Sequence, residues 1–220
     1  MRPALATTVA ALLALANVPD ARAETPSRLS SRIYGGNSIS AFDAASSLSV
    51  DGHHAHDEGG TVNFAFNAAY LQGITPHFGL GLFADIGSGN TAWSENRGES
   101  RTRAQLALGP VFVGPLPGAP HFEWRLGMPL GYTAAWFKPG KARAVDERFS
   151  TAHGLNLALV AGLDILGEHH GGFVDLAYAL HLTWLTHTAT LESDDSVRSE
   201  QQYRYFERGL VLGFGYMYRF

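Results

Sequence analysis

The chain has 220 residues, enough for one domain of ordinary size. Lys plus Arg number 16 against 20 Asp plus Glu, a net charge of -4 with no basic block, which excludes the electrostatic footprint of a nucleic-acid binder. Cysteine is absent, which excludes a disulfide-stapled scaffold and a lipid-modified N-terminal cysteine; 16% charged residues and 25 glycines are unlike an ordinary soluble surface.

Arg2 gives a positive start, Ala4 to Val18 an apolar run, and Ala21-Arg22-Ala23 a small-x-small cleavage pattern. Together they predict a signal peptide over 1–23. A polar periplasmic lead over 24–32 and a single β domain over 33–220 are expected to follow. No later stretch reaches the roughly 20 apolar residues of a membrane helix, so a membrane form would have to cross with strands.

A first strand is expected within 33–50, around Asn37 to Leu48, with weak alternation, followed by a loop over 51–60 (DGHHAHDEGG). The second strand, Thr61 to Leu71, sets Val62, Phe64, Phe66, Ala68 and Tyr70 against Asn63, Ala65, Asn67 and Ala69. Phe78 to Gly87 and Arg101 to Val113 read as the third and fourth, with Pro110 interrupting the latter. His121 to Phe137 has the clearest face: Phe122, Trp124, Leu126, Met128, Leu130, Tyr132, Ala134 and Trp136. Gly154 to Leu166 and Phe173 to Thr188 follow. Helix is rejected for both because they keep strict parity and carry interior glycine or polar residues.

Tyr205 to Phe220 (YFERGLVLGFGYMYRF) closes the chain, with Phe206, Leu210, Leu212, Phe214, Tyr216, Tyr218 and Phe220 on one face and mostly glycine on the other. Long connections near 51–60, 88–100, 138–150 and 190–203 alternate with short ones near 73–77, 114–120 and 167–172. This predicts an all-β fold, an eight-stranded antiparallel up-and-down transmembrane β-barrel with both termini periplasmic. Outward aromatics gather at two depths, as at two membrane interfaces. A soluble lipocalin-like barrel would turn its bulky residues inward.

The terminal Phe214, Tyr216, Tyr218 and Phe220 resemble the assembly signal of small Gram-negative outer-membrane β-barrel proteins of the OmpA-like transmembrane or porin-like type. That resemblance implies an outer-membrane location among lipid and lipopolysaccharide, and partners in the barrel-assembly machinery and periplasmic chaperones. A monomer is expected, with an extracellular ligand for the loops left open.

Inward charges suggest a luminal ion-pair cluster. A hairpin with Leu166 opposite Phe173 would set Asp164 across from Asp175, flanked by Arg125 and Arg219 with Glu123 close by; unpaired charges in a narrow interior are costly. His53, His54 and His56 with Asp57 and Glu58 form a compact metal-like group, since imidazole suits zinc, nickel or copper. A loop without fixed geometry favours solvent-facing chemistry instead, and no cofactor is expected. His181, Thr183 and His187 on one strand face, with Glu207 on its neighbour, are the candidates for a lipid-modifying enzyme. Thr183 stands where the deacylase-like histidine-x-serine pattern needs serine, so satisfied interior polar residues are the preferred reading and an enzyme is not expected. The functional expectation is an outer-membrane structural or loop-mediated interaction barrel without an open pore. A lipid A or phospholipid modifying enzyme and a narrow porin are the alternatives.

Overall fold

Residues of alternating parity leave the backbone on opposite sides of a strand, and in this chain one parity is apolar and bulky while the other is small or polar. The computed structural model describes residues 29–50, 53–93, 98–138, 145–149, 151–191 and 194–220. The expected signal peptide and most of the lead fall outside them. The strands are β1 (Arg32–Val50), β2 (His53–Gly73), β3 (Phe78–Trp93), β4 (Gly98–Leu116), β5 (Ala119–Gly127), β6 (Leu130–Lys138), β7 (Val145–Phe149), β8 (Ala152–Leu166), β9 (His170–Leu191) and β10 (Asp194–Arg219).

These strands form one antiparallel sheet in the order β5-β8-β6-β4-β3-β2-β1-β10-β9-β7, with additional pairings β5–β4 and β8–β9. The expected eight-stranded up-and-down transmembrane barrel is therefore corrected to a ten-stranded antiparallel sheet whose neighbours are not all consecutive in the chain. Two features raise the count. The predicted fifth strand breaks at Met128-Pro129, opposite Gly109-Pro110 of β4, because the ladder runs from Val111↔Gly127 to Leu108↔Leu130. Neither proline has an N–H to donate, so the regular ladder cannot continue through them. The Met128 N–H still reaches Pro110 O at 3.1 Å, and Pro129 O accepts from the Ala158 N–H at 3.0 Å. In addition, β7 lies inside the expected 138–150 loop and pairs with β9.

Other expected loops are also shorter. β2 begins at His53, β3 continues to Trp93 and β10 begins at Asp194, each extended by pairing with its neighbour. The β4–β5 connection turns at Pro117-Gly118, where Gly118 has a φ of 77°. Proline followed by a left-handed glycine is the type II turn pattern.

The burial of the two faces is inverted relative to a water-soluble sheet. Leu159 is 62% exposed and Phe66 62%, whereas Asp164 is 0% exposed and Arg32 1%. The sheet curls over its small and polar face, so that side chains far apart in the strand order touch: Arg32 of β1 bonds Asp164 of β8. The inner column of β1 reads through successive layers. Leu29 just before the strand, then Tyr34, belong to an apolar cluster with Val111, Phe173 and Met217. Ser38 and Ser40 line a cavity, and Ala44 belongs to a second apolar cluster with Phe137, Leu185 and Tyr205. The inner column of β9 repeats the sequence as Phe173, Asp175, Ala177, Ala179, His181 and Leu185.

Candidate functional site

Two charged layers lie inside the curled sheet. In the layer nearer the chain termini, Glu123 of β5 stands directly across from Asp164 of β8. Two adjacent carboxylates would repel. Arg32 bridges them, donating from Nη1 to Asp164 Oδ2 at 2.9 Å and from Nη2 to Glu123 Oε2 at 2.5 Å. The Tyr34 hydroxyl donates to the same Asp164 oxygen at 2.8 Å, and Arg125 Nε reaches the other at 3.3 Å.

Arg125 of β5, Gly162 of β8 and Asp175 of β9 form one cross-strand row. Arg125 Nη2 donates to Asp175 Oδ1 at 2.8 Å across the glycine. A Cβ on Gly162 would collide with that carboxylate and lie 3.1 Å from Arg125 Nη2. The guanidinium also stacks 4.3 Å over the Tyr34 ring, whose edge meets Phe173 at 5.5 Å. Buried charges are tolerated only when paired and hydrogen-bonded in this way.

The second layer centres on Glu207 of β10. Arg101 Nη1 contacts Glu207 Oε1 at 2.5 Å, while Arg103 Nη1 stays 3.9 Å from Oε2, beyond hydrogen-bonding reach. Thr61 donates to Glu207 Oε1 at 3.3 Å and shares a 2.8 Å hydrogen bond with Thr91. Arg103 lies 5.3 Å over the Phe42 ring, and His181 meets the same ring edge-on at 5.1 Å. His181 is buried, and neither of its ring nitrogens has a hydrogen-bond partner. Between the layers lies a cavity of about 160 Å³. Asp85, Gln105 and Asn156 form a chain along its wall: Asn156 Nδ2 donates to Gln105 Oε1 at 2.7 Å, and Gln105 Nε2 to Asp85 Oδ1 at 3.1 Å.

Of the expected ion-pair residues, the structure brings Glu123, Arg125, Asp164 and Asp175 together but not Arg219. Arg219 donates to the carbonyls of Gly167 and Glu168, at 3.2 and 2.8 Å, capping the β8–β9 turn. The expected hairpin register is also corrected. Gly167 N bonds His170 O at 2.8 Å, which tightens the turn and sets Leu166 opposite Gly171. Asp164 therefore faces Phe173, and Asp175 faces Gly162. Arg32, Tyr34 and Arg101 were missed as site residues. Arg32 and Tyr34 share the parity of Ser38, Ser40 and Phe42, which is the signal that would have exposed them.

Thr183 is buried, and Glu207 is held by Arg101 and Thr61; His181 bonds neither of them. His187 pairs in the ladder with Gln201, and its side chain lies outside the description. His53, His54, His56 and Asp57 belong to β2 rather than a loop, opposite Val50, Ser49, Ser47 and Ser46 of β1; their side chains likewise lie outside the description. Phe214, Tyr216 and Phe220 of the terminal motif are on the exposed face.

No family model matches the chain, and no curated protein does. Among solved structures it is similar to the outer membrane protein OprG from Pseudomonas aeruginosa, at a TM-score of 0.64 and 15% identity, covering 88% of this chain and 97% of OprG. The outer membrane protease OmpT from Escherichia coli matches at a TM-score of 0.47 and 10% identity, covering 90% and 99%. The outer membrane protein AlkL in lipid bilayers matches at 0.47 and 14%, covering 93% and 95%. The likeness to OprG shows a shared outer-membrane β-sheet fold and does not assign the chain to the OmpA-like or porin-like type.

Proposed function

We propose that the protein resides in the outer membrane with the exposed face of its sheet against lipid, as a structural or loop-mediated interaction protein without an open pore. The observation that carries this reading is the inverted burial of the two faces. Leu106, Leu108, Leu155, Leu159, Leu176 and Leu210 are all at least half exposed on one continuous outer surface. In water such a surface is unfavourable by roughly 25 cal/mol for each Å². Against acyl chains that cost disappears. No helix of the described residues is long and apolar enough to cross a membrane.

Three further features support the reading. Exposed Phe112, Trp124, Tyr216 and Phe220 lie toward the chain termini, while Tyr132, Trp136 and Trp184 lie toward the other end, as two interfacial girdles would. The fold is shared with OprG. Both charged layers and both apolar clusters obstruct the interior. Membrane lipid and lipopolysaccharide would be its surroundings, and the terminal aromatic motif suits recognition by the barrel-assembly machinery. For the alternative of a lipid A or phospholipid modifying enzyme, His181 would have to move, since it makes no hydrogen bond to Thr183 or Glu207.

Refolding into vesicles with brominated acyl chains tests the lipid-facing surface. Fluorescence of Trp124, Trp136 and Trp184 is expected to be strongly quenched; emission equal to that in unbrominated vesicles would overturn the placement.

A further inference from the structure

We propose that the interior cavity binds a short-chain monocarboxylate, with the carboxylate held between Arg103 and His181 and the alkyl chain lying along the alanine-lined waist. The cavity, about 160 Å³, is many times the roughly 15 Å³ that one water requires. At one end Arg103 and His181 both line the cavity and both contact the Phe42 ring, at 5.3 and 5.1 Å. Both His181 nitrogens and Arg103 Nη1 are buried without hydrogen-bond partners. A buried polar group left unpaired costs about 1–3 kcal/mol.

Arg103 Nη1 and the N–H of the His181 ring are donors without an acceptor at this end. Arg101 takes the near oxygen of Glu207 at 2.5 Å, leaving Arg103 3.9 Å from the other. Asp85 also faces the cavity, but Gln105 holds it at 3.1 Å and is itself held by Asn156. An incoming carboxylate can accept from Arg103 Nη1 and from the single N–H of a neutral His181 ring. The wall also carries small apolar residues: Ala65, Ala107, Ala158, Ala177, Ala179 and Val160. A chain of a few methylenes suits that stretch of the wall.

The test uses the full chain refolded in detergent and labelled with 15N-histidine, titrated with sodium butyrate, sodium chloride or butylammonium chloride at constant ionic strength. One imidazole resonance, the one missing in His181→Gln, is expected to move saturably with butyrate alone, and Arg103→Gln to weaken binding at least tenfold. A resonance that stays fixed, that moves equally with chloride or butylammonium, or that saturates at unchanged butyrate concentration in Arg103→Gln would overturn the proposal. Should either variant fail to fold, the wild-type chain-length series decides. Affinity is expected to rise from formate to butyrate and to fall for decanoate; affinity independent of length would overturn the alkyl placement.

Discussion

Arg125 Nη2 meets Asp175 Oδ1 at 2.8 Å over the bare backbone of Gly162, with all three residues in one cross-strand row. The absent side chain is what allows two charges from β5 and β9 to join across the strand between them. Gly162→Val is expected to break this contact and destabilise the fold by about 1–3 kcal/mol, the usual cost of overpacking. Gly162→Ala is expected to cost less, since the Asp175 carboxylate it would meet is the end of a side chain that can shift. Urea unfolding in detergent micelles measures both, and a Val variant as stable as wild type would contradict the role of the gap.

Arg32 and Arg219 sit near the same end of the molecule but differ in what they hold. Arg32 bridges Glu123 and Asp164 with a side chain 1% exposed, while Arg219 binds turn carbonyls at the surface. Removing one partner of a buried pair costs about 3–5 kcal/mol because the remaining charge stays buried. Arg32→Met is expected to fall in that range and Arg219→Met within about 1 kcal/mol. Equal midpoints of heat-induced gel mobility for the two variants would contradict the assignment.

The Tyr34 hydroxyl is one of three donors to Asp164. Tyr34→Phe keeps the ring under Arg125 and removes only that donor. A loss of about 1 kcal/mol is expected in urea unfolding. Tyr34→Leu is expected to lose more, because the cation–π contact goes too.

Gly118 has open space where a Cβ would stand, so its only constraint is a φ of 77°. Gly118→Ala is expected to cost about 1 kcal/mol through backbone strain alone, with unchanged lipid quenching. Gly118→Asn, which tolerates the left-handed region better, is expected to recover part of that loss.

Much of this was legible in the sequence because parity survives folding unchanged. Trp124, Leu126, Met128, Leu130 and Tyr132 are outward in both readings, and Arg125 and Thr133 inward. What failed was information that one strand does not carry. Pro129 fitted the inner column by parity, and only its position opposite Pro110 explains why the strand breaks there. The 145–149 and 194–203 segments lack apolar alternation, so the neighbour β9, not their own pattern, makes them strands.

Site residues failed for a related reason. The hairpin register depended on a turn one hydrogen bond tighter than its glycines suggested, which moved Asp175 opposite Gly162. Arg32 was hidden because the outward column of β1 holds Gly35, Asn37 and Asp43 instead of bulky apolar residues. The Arg101–Glu207 contact joins β4 and β10, which do not neighbour each other in the sheet; linear spacing contains no trace of it.

The measurement that bears most directly on the account is single-channel recording of the refolded full chain in planar lipid bilayers. With Arg32, Arg125, Arg101 and their carboxylates crossing the interior, and apolar clusters beyond them, the expected record is a flat baseline at every applied potential. Discrete, reproducible conductance steps from the wild-type protein would contradict an interior without a continuous ion path.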